Sequence, residues 1–318
     1  MTVGELLTNL RNAVKENIPL PGGGDTPSRH RALFEIGRKD LSLARLAEAH
    51  WDAVSILKES GNEPKADCLY GVWASERPGQ PLISEQRGGT LQISGRKMFC
   101  SGAGLVDRAL ITVADSEPQL VDLDLRSNVH SLRFDDSDWK TGAFRDTHTS
   151  TVIFQGVRVS PEDLIAAPGW YLKRPGFWHG ACGPAACWAG GAAGLIDYAK
   201  EQSRDDPHTL AHLGGIHASG WALLSYLDAA GREIDDEPKD YEKAIVRALT
   251  VRHLIEQACT DVLRRLARAY GPHPLAMDEQ ISQRYQELDL YLRQSHAERD
   301  LEALGRAIKK SSTVGMWY

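Results

Sequence analysis

The chain has no block of Lys or Arg, and its net charge is −6, so it lacks the electrostatic footprint of a nucleic-acid binder. It has no C-x-x-C pair. Its five cysteines, Cys68, Cys100, Cys182, Cys187 and Cys259, are odd in number, which argues against a disulfide framework or structural zinc site and for buried thiols. Its first twenty residues mix Glu5, Arg11, Lys15 and Glu16 into the apolar positions and form no secretory core, so a cytoplasmic protein is expected. No run reaches the roughly 20 strongly apolar residues of a membrane span. The nearest, Gly180 to Ile196, is mostly Gly and Ala and reads as a buried helix. The eleven histidines show no repeated ligand spacing, so neither a metal site nor a metal hydrolase is expected.

What is present is an ordinary globular composition, 42% hydrophobic and 25% charged, over 318 residues, enough for two or three cores. The expected parts are a short helical region at 1–66, a β region at 67–168 and a helical region at 169–318. In the first, Ser28 and Ser42 are candidate helix caps, with stops at Gly37 and Gly61. Leu43, Leu46, His50, Val54 and Leu57 recur there at helical spacing. In the second, β-branched runs at Leu91 to Ser94, Ala109 to Val113, Gln119 to Asp124 and Thr151 to Val159 alternate with turn signals such as Gly88-Gly89 and Asp115-Ser116. No helices fit between these strands, so an antiparallel sheet is expected. In the third, helices are expected at about Phe177 to Arg204, Pro207 to Arg232, Pro238 to Tyr270 and Asp278 to Ile308. Asp206-Pro207 and Asp278 mark two starts, and Gly271-Pro272 marks a stop. Four such helices form a bundle.

Two short motifs fail their context. Cys100-Ser101-Gly102 is no nucleophile elbow, because Phe99 stands where the first Gly belongs. Gly190 to Gly194 lies inside a helix and is no dinucleotide fingerprint.

The order of helices, antiparallel β region and four-helix bundle resembles the acyl-CoA dehydrogenase superfamily, an α+β fold. The resemblance runs from about Leu33 to Gly305. It rests on Gly71 through Pro78 (GVWASERP), Ile93 through Gly102 (ISGRKMFCSG), Thr151 through Val159 (TVIFQGVRV), Arg268 through Gly271 (RAYG), and Arg284 through Asp289 with His296. It implies a flavin, FAD, lying between the β region and the helical parts. By its motifs Ser75 is placed at the pyrimidine edge, Phe99 beside the ring, and Ser101 near N5 or O4. Arg204 and Gly271 match the positions that hold the pyrophosphate or adenine of a neighbouring subunit's FAD. A flat amphipathic ring asks for such a wall, one aromatic contact and a few aimed polar groups. Alternatively, Phe99 is a sheet-core residue, Ser101 opens a turn, and Arg204 is a solvated helix end.

The expected reaction is α,β-desaturation of an acyl thioester, which needs a carboxylate to take the α-proton. Neither of the family's glutamate positions holds a Glu in register. One falls at Ala297, between His296 and Glu298, and the other falls on the first bundle helix, which has no acid there. His296, Glu298 and His179 are therefore the candidate catalytic residues. His296 continues the stripe Ile281, Tyr285, Leu288, Leu292 and is expected to face the bundle interior. An inward His there also resembles the flavin monooxygenase branch, which makes oxygen chemistry on an aromatic substrate the alternative. A third reading is a degenerate binding subunit that requires a partner subunit. The family's bundle buries its outer face against another copy, which implies a homo-oligomer.

Overall fold

A computed structural model describes residues 2–75, 79, 81–87 and 90–310. Its helices and strands follow the chain in this order. Three helices come first: α1 (Val3–Ala13), α2 (Thr26–Lys39) and α3 (Leu41–Glu59). Eight strands follow: β1 (Tyr70–Trp73), β2 (Ile83–Arg87), β3 (Thr90–Cys100), β4 (Arg108–Val113), β5 (Gln119–Asp124), β6 (Leu132–Asp135), β7 (Ser150–Val159) and β8 (Leu164–Ile165). The remaining helices are α4 (Trp170–Lys173), α5 (Pro175–Gly180), α6 (Cys182–Glu201), α7 (Pro207–Asp236), α8 (Tyr241–Tyr270), α9 (His273–Met277), α10 (Glu279–Leu292) and α11 (Glu298–Lys310). Glu76, Arg77, Pro78 and the Gly88-Gly89 turn lie outside the described residues.

The chain divides into two compact units. The first comprises Met1–Asn17 and Arg45–Phe177, and the second Ile18–Ala44 and Trp178–Tyr318. In the first unit the strands form two four-stranded sheets, ordered β1-β4-β5-β8 and β2-β3-β7-β6. The expectation of a wholly antiparallel sheet is corrected at one place, where β1 pairs with β4 in parallel from Tyr70 opposite Arg108 to Trp73 opposite Ile111. The chain between them carries β2 and β3, a crossover long enough for a parallel return. Ala53, Ile56 and Leu57 of α3 pack with Tyr70, Leu110, Leu120, Ile165 and Tyr171 in one apolar cluster. Beside it Arg108 donates to Asp122 at 2.8 Å with both side chains buried, and burial holds the Asp122 carboxyl above its usual range despite the pairing.

In the second unit α6 packs on α2, α7 and α8. Glycine makes the first of these contacts close: a Cβ on Gly37 would sit 2.5 Å from Cys187 O, and one on Gly190 would sit 2.8 Å from Arg38 N. The Gly- and Ala-rich run of α6 is thus used for backbone approach. Gly37 consequently lies inside α2 and does not end it. Arg284 donates to the carbonyls of Arg38 and Lys39 at 2.8 Å each, covering the orphan acceptors at the end of α2.

Two further starts differ from expectation. Asp25 precedes α2 in place of Ser28, and the Asp40 carboxylate, not Ser42, accepts from Leu43 N at the start of α3. Ser42 instead donates to the buried Glu287 at 2.8 Å. Asp206 and Asp278 do cap α7 and α10, accepting from Thr209 N and Ile281 N at 3.0 Å.

The single helix expected from Asp278 to Ile308 is interrupted by five residues: α10 stops at Leu292 and α11 starts at Glu298. Arg252 donates to Gln294 O at 2.7 Å, taking a carbonyl that a longer helix would have used itself. Four cysteines, Cys100, Cys182, Cys187 and Cys259, are buried, and Cys68 is half-buried. Burial pushes the Cys100 thiol up to about 12 and the Cys182 thiol up to about 11. Among the described residues no helix is long and apolar enough to cross a membrane, and no group of three His, Cys, Asp or Glu could hold a metal ion.

Candidate functional site

The register of β3 against β7 shifts twice, between Ile93 and Gly95 and again between Lys97 and Cys100. The second shift is the one beside the candidate site. At that bulge Phe99 takes a left-handed backbone, φ 58, and its side chain is 56% exposed. A bulge re-aims a side chain, and a Phe held at positive φ costs energy that the surroundings must offset. Phe99 is therefore not the sheet-core residue of the alternative reading. Its ring meets Trp139 edge to face, centroids 6.4 Å apart. Trp139 is fixed in turn by donating to Ala143 O at 2.9 Å.

Two residues on, Ser101 is half-buried, with its N–H donating to Phe99 O at 3.0 Å. Its hydroxyl accepts from Arg45 Nε at 2.8 Å and contacts Thr149 Oγ1 at 3.0 Å. Thr149 contacts Thr147 Oγ1 at 2.9 Å, and Thr147 donates to Phe144 O at 2.8 Å. The Arg45 guanidinium lies 4.8 Å above the Phe144 ring. Trp73 Nε1 donates to Ser101 O at 3.0 Å, tying the end of β1, two residues before the exposed Ser75, to the same turn. Lys97, itself buried, donates to Thr112 O at 2.8 Å, and Thr112 Oγ1 donates to Ala74 O at 3.5 Å. Ser75, Phe99 and Ser101 are thus carried by one set of interlocked strand ends. Arg45, Trp139, Thr147 and Thr149 also belong to that set and are not marked in the sequence, save for the alternation of hydroxyls at 147, 149 and 151.

The other candidates belong to the second unit. His179 is buried, and its Nε2 donates to Pro238 O at 2.9 Å, so that proton already holds α5 to the link between α7 and α8. Arg204 and Gly271 lie in one neighbourhood: Arg204 donates to Ala269 O and to Asp206 Oδ2, each at 3.1 Å, and Gly271 ends α8 at φ 65. The hydrogen bond from Thr209 N holds the Asp206 carboxyl down at about 2, so a full negative charge sits beside Arg204.

His296 does not face the bundle interior. It lies in the link after α10, exposed, with its N–H donating to Asp300 Oδ2 at 3.1 Å and Nδ1 3.2 Å from Asp300 Oδ1. The reason is the early stop of α10 at Leu292: the apolar stripe ends there, and the turn carries the next residues outward. Ala297, φ 48, separates His296 from the exposed Glu298, which opens α11.

A reduced or oxidised flavin ring fits the exposed Phe99 face and the adjacent hydroxyl as chemical partners, apolar surface beside an aimed polar atom. No protein-family model matches the chain. Dibenzothiophene monooxygenase of Rhodococcus erythropolis is 23% identical, covering 79% of this chain and 73% of the relative. The solved complex of TdsC, a dibenzothiophene monooxygenase of Paenibacillus sp. A11-2, with FMN and indole superposes with a TM-score of 0.75 at 17% identity, covering 96% of this chain and 95% of that one. Butyryl-CoA dehydrogenase of Megasphaera elsdenii superposes with a TM-score of 0.76 at 16% identity, covering 91% of this chain and 83% of that one. The chain has the α+β fold of the acyl-CoA dehydrogenase superfamily. The proteins it is similar to are flavin-dependent oxidoreductases, from both the dehydrogenase and the monooxygenase branches.

Proposed function

We propose that the chain is a flavin-dependent monooxygenase that takes reduced flavin and a small aromatic substrate. The observation that supports this best is the exposed Phe99 ring, held at a strained backbone beside the Ser101 hydroxyl, in a chain whose matched relatives are monooxygenases. The missing carboxylate points the same way, since the first turns of α6 carry no acid and the link after α10 offers His296. When bound, the flavin supplies the electrons and the reactivity toward dioxygen. Phe99 and Trp139 present it with an apolar wall, Ser75 and Ser101 give it polar contacts, and His296, steadied by Asp300, is the proposed proton carrier.

FMN suits the geometry better than the FAD expected from the sequence. Arg204 is already occupied by Ala269 O and Asp206, and that carboxylate repels a pyrophosphate. A homo-oligomer is proposed because α7 exposes Leu210, Trp221 and Leu224, apolar surface that a second copy would cover. The buried cysteines, none of them in a disulfide, suit a reducing cytoplasm.

Desaturation of an acyl thioester, with Glu298 as base, is the second reading, favoured by the fold shared with butyryl-CoA dehydrogenase. Anaerobic mixing of the oxidised holoprotein with acyl-CoA separates the two. The monooxygenase leaves the flavin yellow and forms product only with a flavin reductase and dioxygen, whereas bleaching by acyl-CoA alone overturns the proposal. Purified chain with no affinity for either FMN or FAD overturns both readings.

A further inference from the structure

The hydroxyl protons around Ser101 can be counted. Phe144 O is a carbonyl and only accepts, so the 2.8 Å contact from Thr147 Oγ1 takes the one Thr147 proton. Thr147 must then accept in its 2.9 Å contact with Thr149, which takes the Thr149 proton. Thr149 must accept in turn at 3.0 Å, and the proton in that contact is the one on Ser101. Arg45 Nε–H can only donate, and it does so to Ser101 at 2.8 Å. A single arrangement satisfies all four contacts, with donation running from Arg45 through Ser101, Thr149 and Thr147 to Phe144 O. Ser101 is left with no proton to give and one lone pair to offer.

We infer that this relay makes Ser101 an acceptor toward the flavin and so selects the reduced ring over the oxidised one. Reduced flavin carries an N–H at N5, which matches a lone pair. The oxidised ring presents only acceptors at N5 and O4, which do not. The inference rests on the flavin reading proposed above. Thr147 and Thr149 are buried, so solvent does not reset the relay from below. For Ser101 to donate to an oxidised ring, its proton must leave Thr149, so the protein either loses the Ser101–Thr149 hydrogen bond or reverses the relay and gives up the one to the Phe144 carbonyl, and each is costly to leave unmade. Arg45, also buried, fixes the other end by holding one Ser101 lone pair. Arg45 and Thr147 are therefore positioning residues, and they act on the flavin only through Ser101. The preference suits a chain that is handed reduced flavin by a separate reductase, because the spent oxidised form then leaves the site.

The test is the affinity for each redox form, measured by fluorescence titration with oxidised FMN and by anaerobic calorimetry with dithionite-reduced FMN. The unaltered protein should bind the reduced form about tenfold more tightly, the worth of one well-made hydrogen bond. In Thr147→Val the Thr149 proton is released to Ser101, and Ser101 can turn its own proton to an oxidised ring. The ratio should fall about three- to tenfold, chiefly by a gain in oxidised-FMN affinity. Thr147→Ser keeps the relay and should keep the ratio. Thr149→Val, which removes the acceptor for the Ser101 proton, should lower it as Thr147→Val does. An unchanged ratio in both valine variants overturns the inference, as does a Thr147→Ser effect equal to that of Thr147→Val, which would mark packing as the cause. Absence of binding of both forms to the unaltered protein would instead overturn the flavin reading itself.

Discussion

The rings of Phe99 and Trp139 stand almost perpendicular, at 82°, with centroids 6.4 Å apart, and the first is carried on a left-handed backbone while its neighbour is anchored to Ala143 O. A strained, exposed aromatic is kept for what it touches and not for what it buries. Phe99→Gly relieves the backbone and loses little packing, so the melting temperature should hold or rise slightly. The same change should weaken FMN binding about tenfold in a fluorescence titration. Equal losses of stability and affinity would make Phe99 a structural residue.

Two glycine substitutions should move stability in opposite directions. A Cβ at Gly190 would run into the backbone of α2 at Phe34 O and Arg38 N, which cannot step aside as a flexible side chain can. Gly190→Ala should cost about 1–3 kcal/mol, the usual range for overpacking a core. Gly214, within α7, has nothing within 4 Å of its added Cβ, so Gly214→Ala should gain up to about 1 kcal/mol from helix propensity. Urea unfolding of both variants checks the pair.

Stability should fall on mild acidification. Burial depresses His30 and His50 from the usual 6.5 to about 4, so both are neutral in the folded protein. A depressed group contributes stability that is complete above its unfolded value and is lost as pH falls from about 6.5 toward about 4. From the His30 shift alone, roughly 2 kcal/mol should disappear between pH 7 and pH 5. His30 Nδ1 donates to Leu227 O at 2.9 Å, and His50 Nδ1 accepts from Tyr70 N at 3.1 Å, so asparagine can imitate either contact without titrating. His30→Asn should flatten the acid limb of the unfolding free energy. An acid limb as steep as that of the unaltered protein would assign it elsewhere.

His296 should be separable from the fold. It is exposed and bonded only within its own turn, so His296→Ala should change unfolding free energy by less than about 0.5 kcal/mol. Flavin affinity should also hold, while substrate turnover with reduced FMN and dioxygen should drop at least about tenfold if the proton passes through this ring. Full turnover in the variant would remove His296 from the reaction.

The strands were legible because β-branched residues bounded by turn signals have few other uses. The start of α7 was legible because Asp206-Pro207 leaves the backbone one conformation. The break after Leu292 was not, since His296 falls one helical turn beyond Leu292 and continues the apolar stripe on paper. The contacts that accompany the break are not local in sequence: Arg252, 42 residues earlier in the chain, donates to Gln294 O just past the end of α10. Gly37 misled for a related reason: a glycine that admits a neighbouring helix has the same letter as one that stops its own. At the site, Phe99, Ser101 and Ser75 could be named from their motifs. The Arg45 contact could not, because it joins a helix to a turn 56 positions further along the chain.

The burial of four of the five thiols gives the folded chain the behaviour of a single-cysteine protein. A bulky thiol reagent added under native conditions meets only Cys68, so a dye or spin label can be attached there without engineering the sequence. The remaining four react only when the cores that cover them open. Their slow alkylation therefore counts opening events in each unit separately, Cys100 reporting on the sheets and Cys182, Cys187 and Cys259 on the helices.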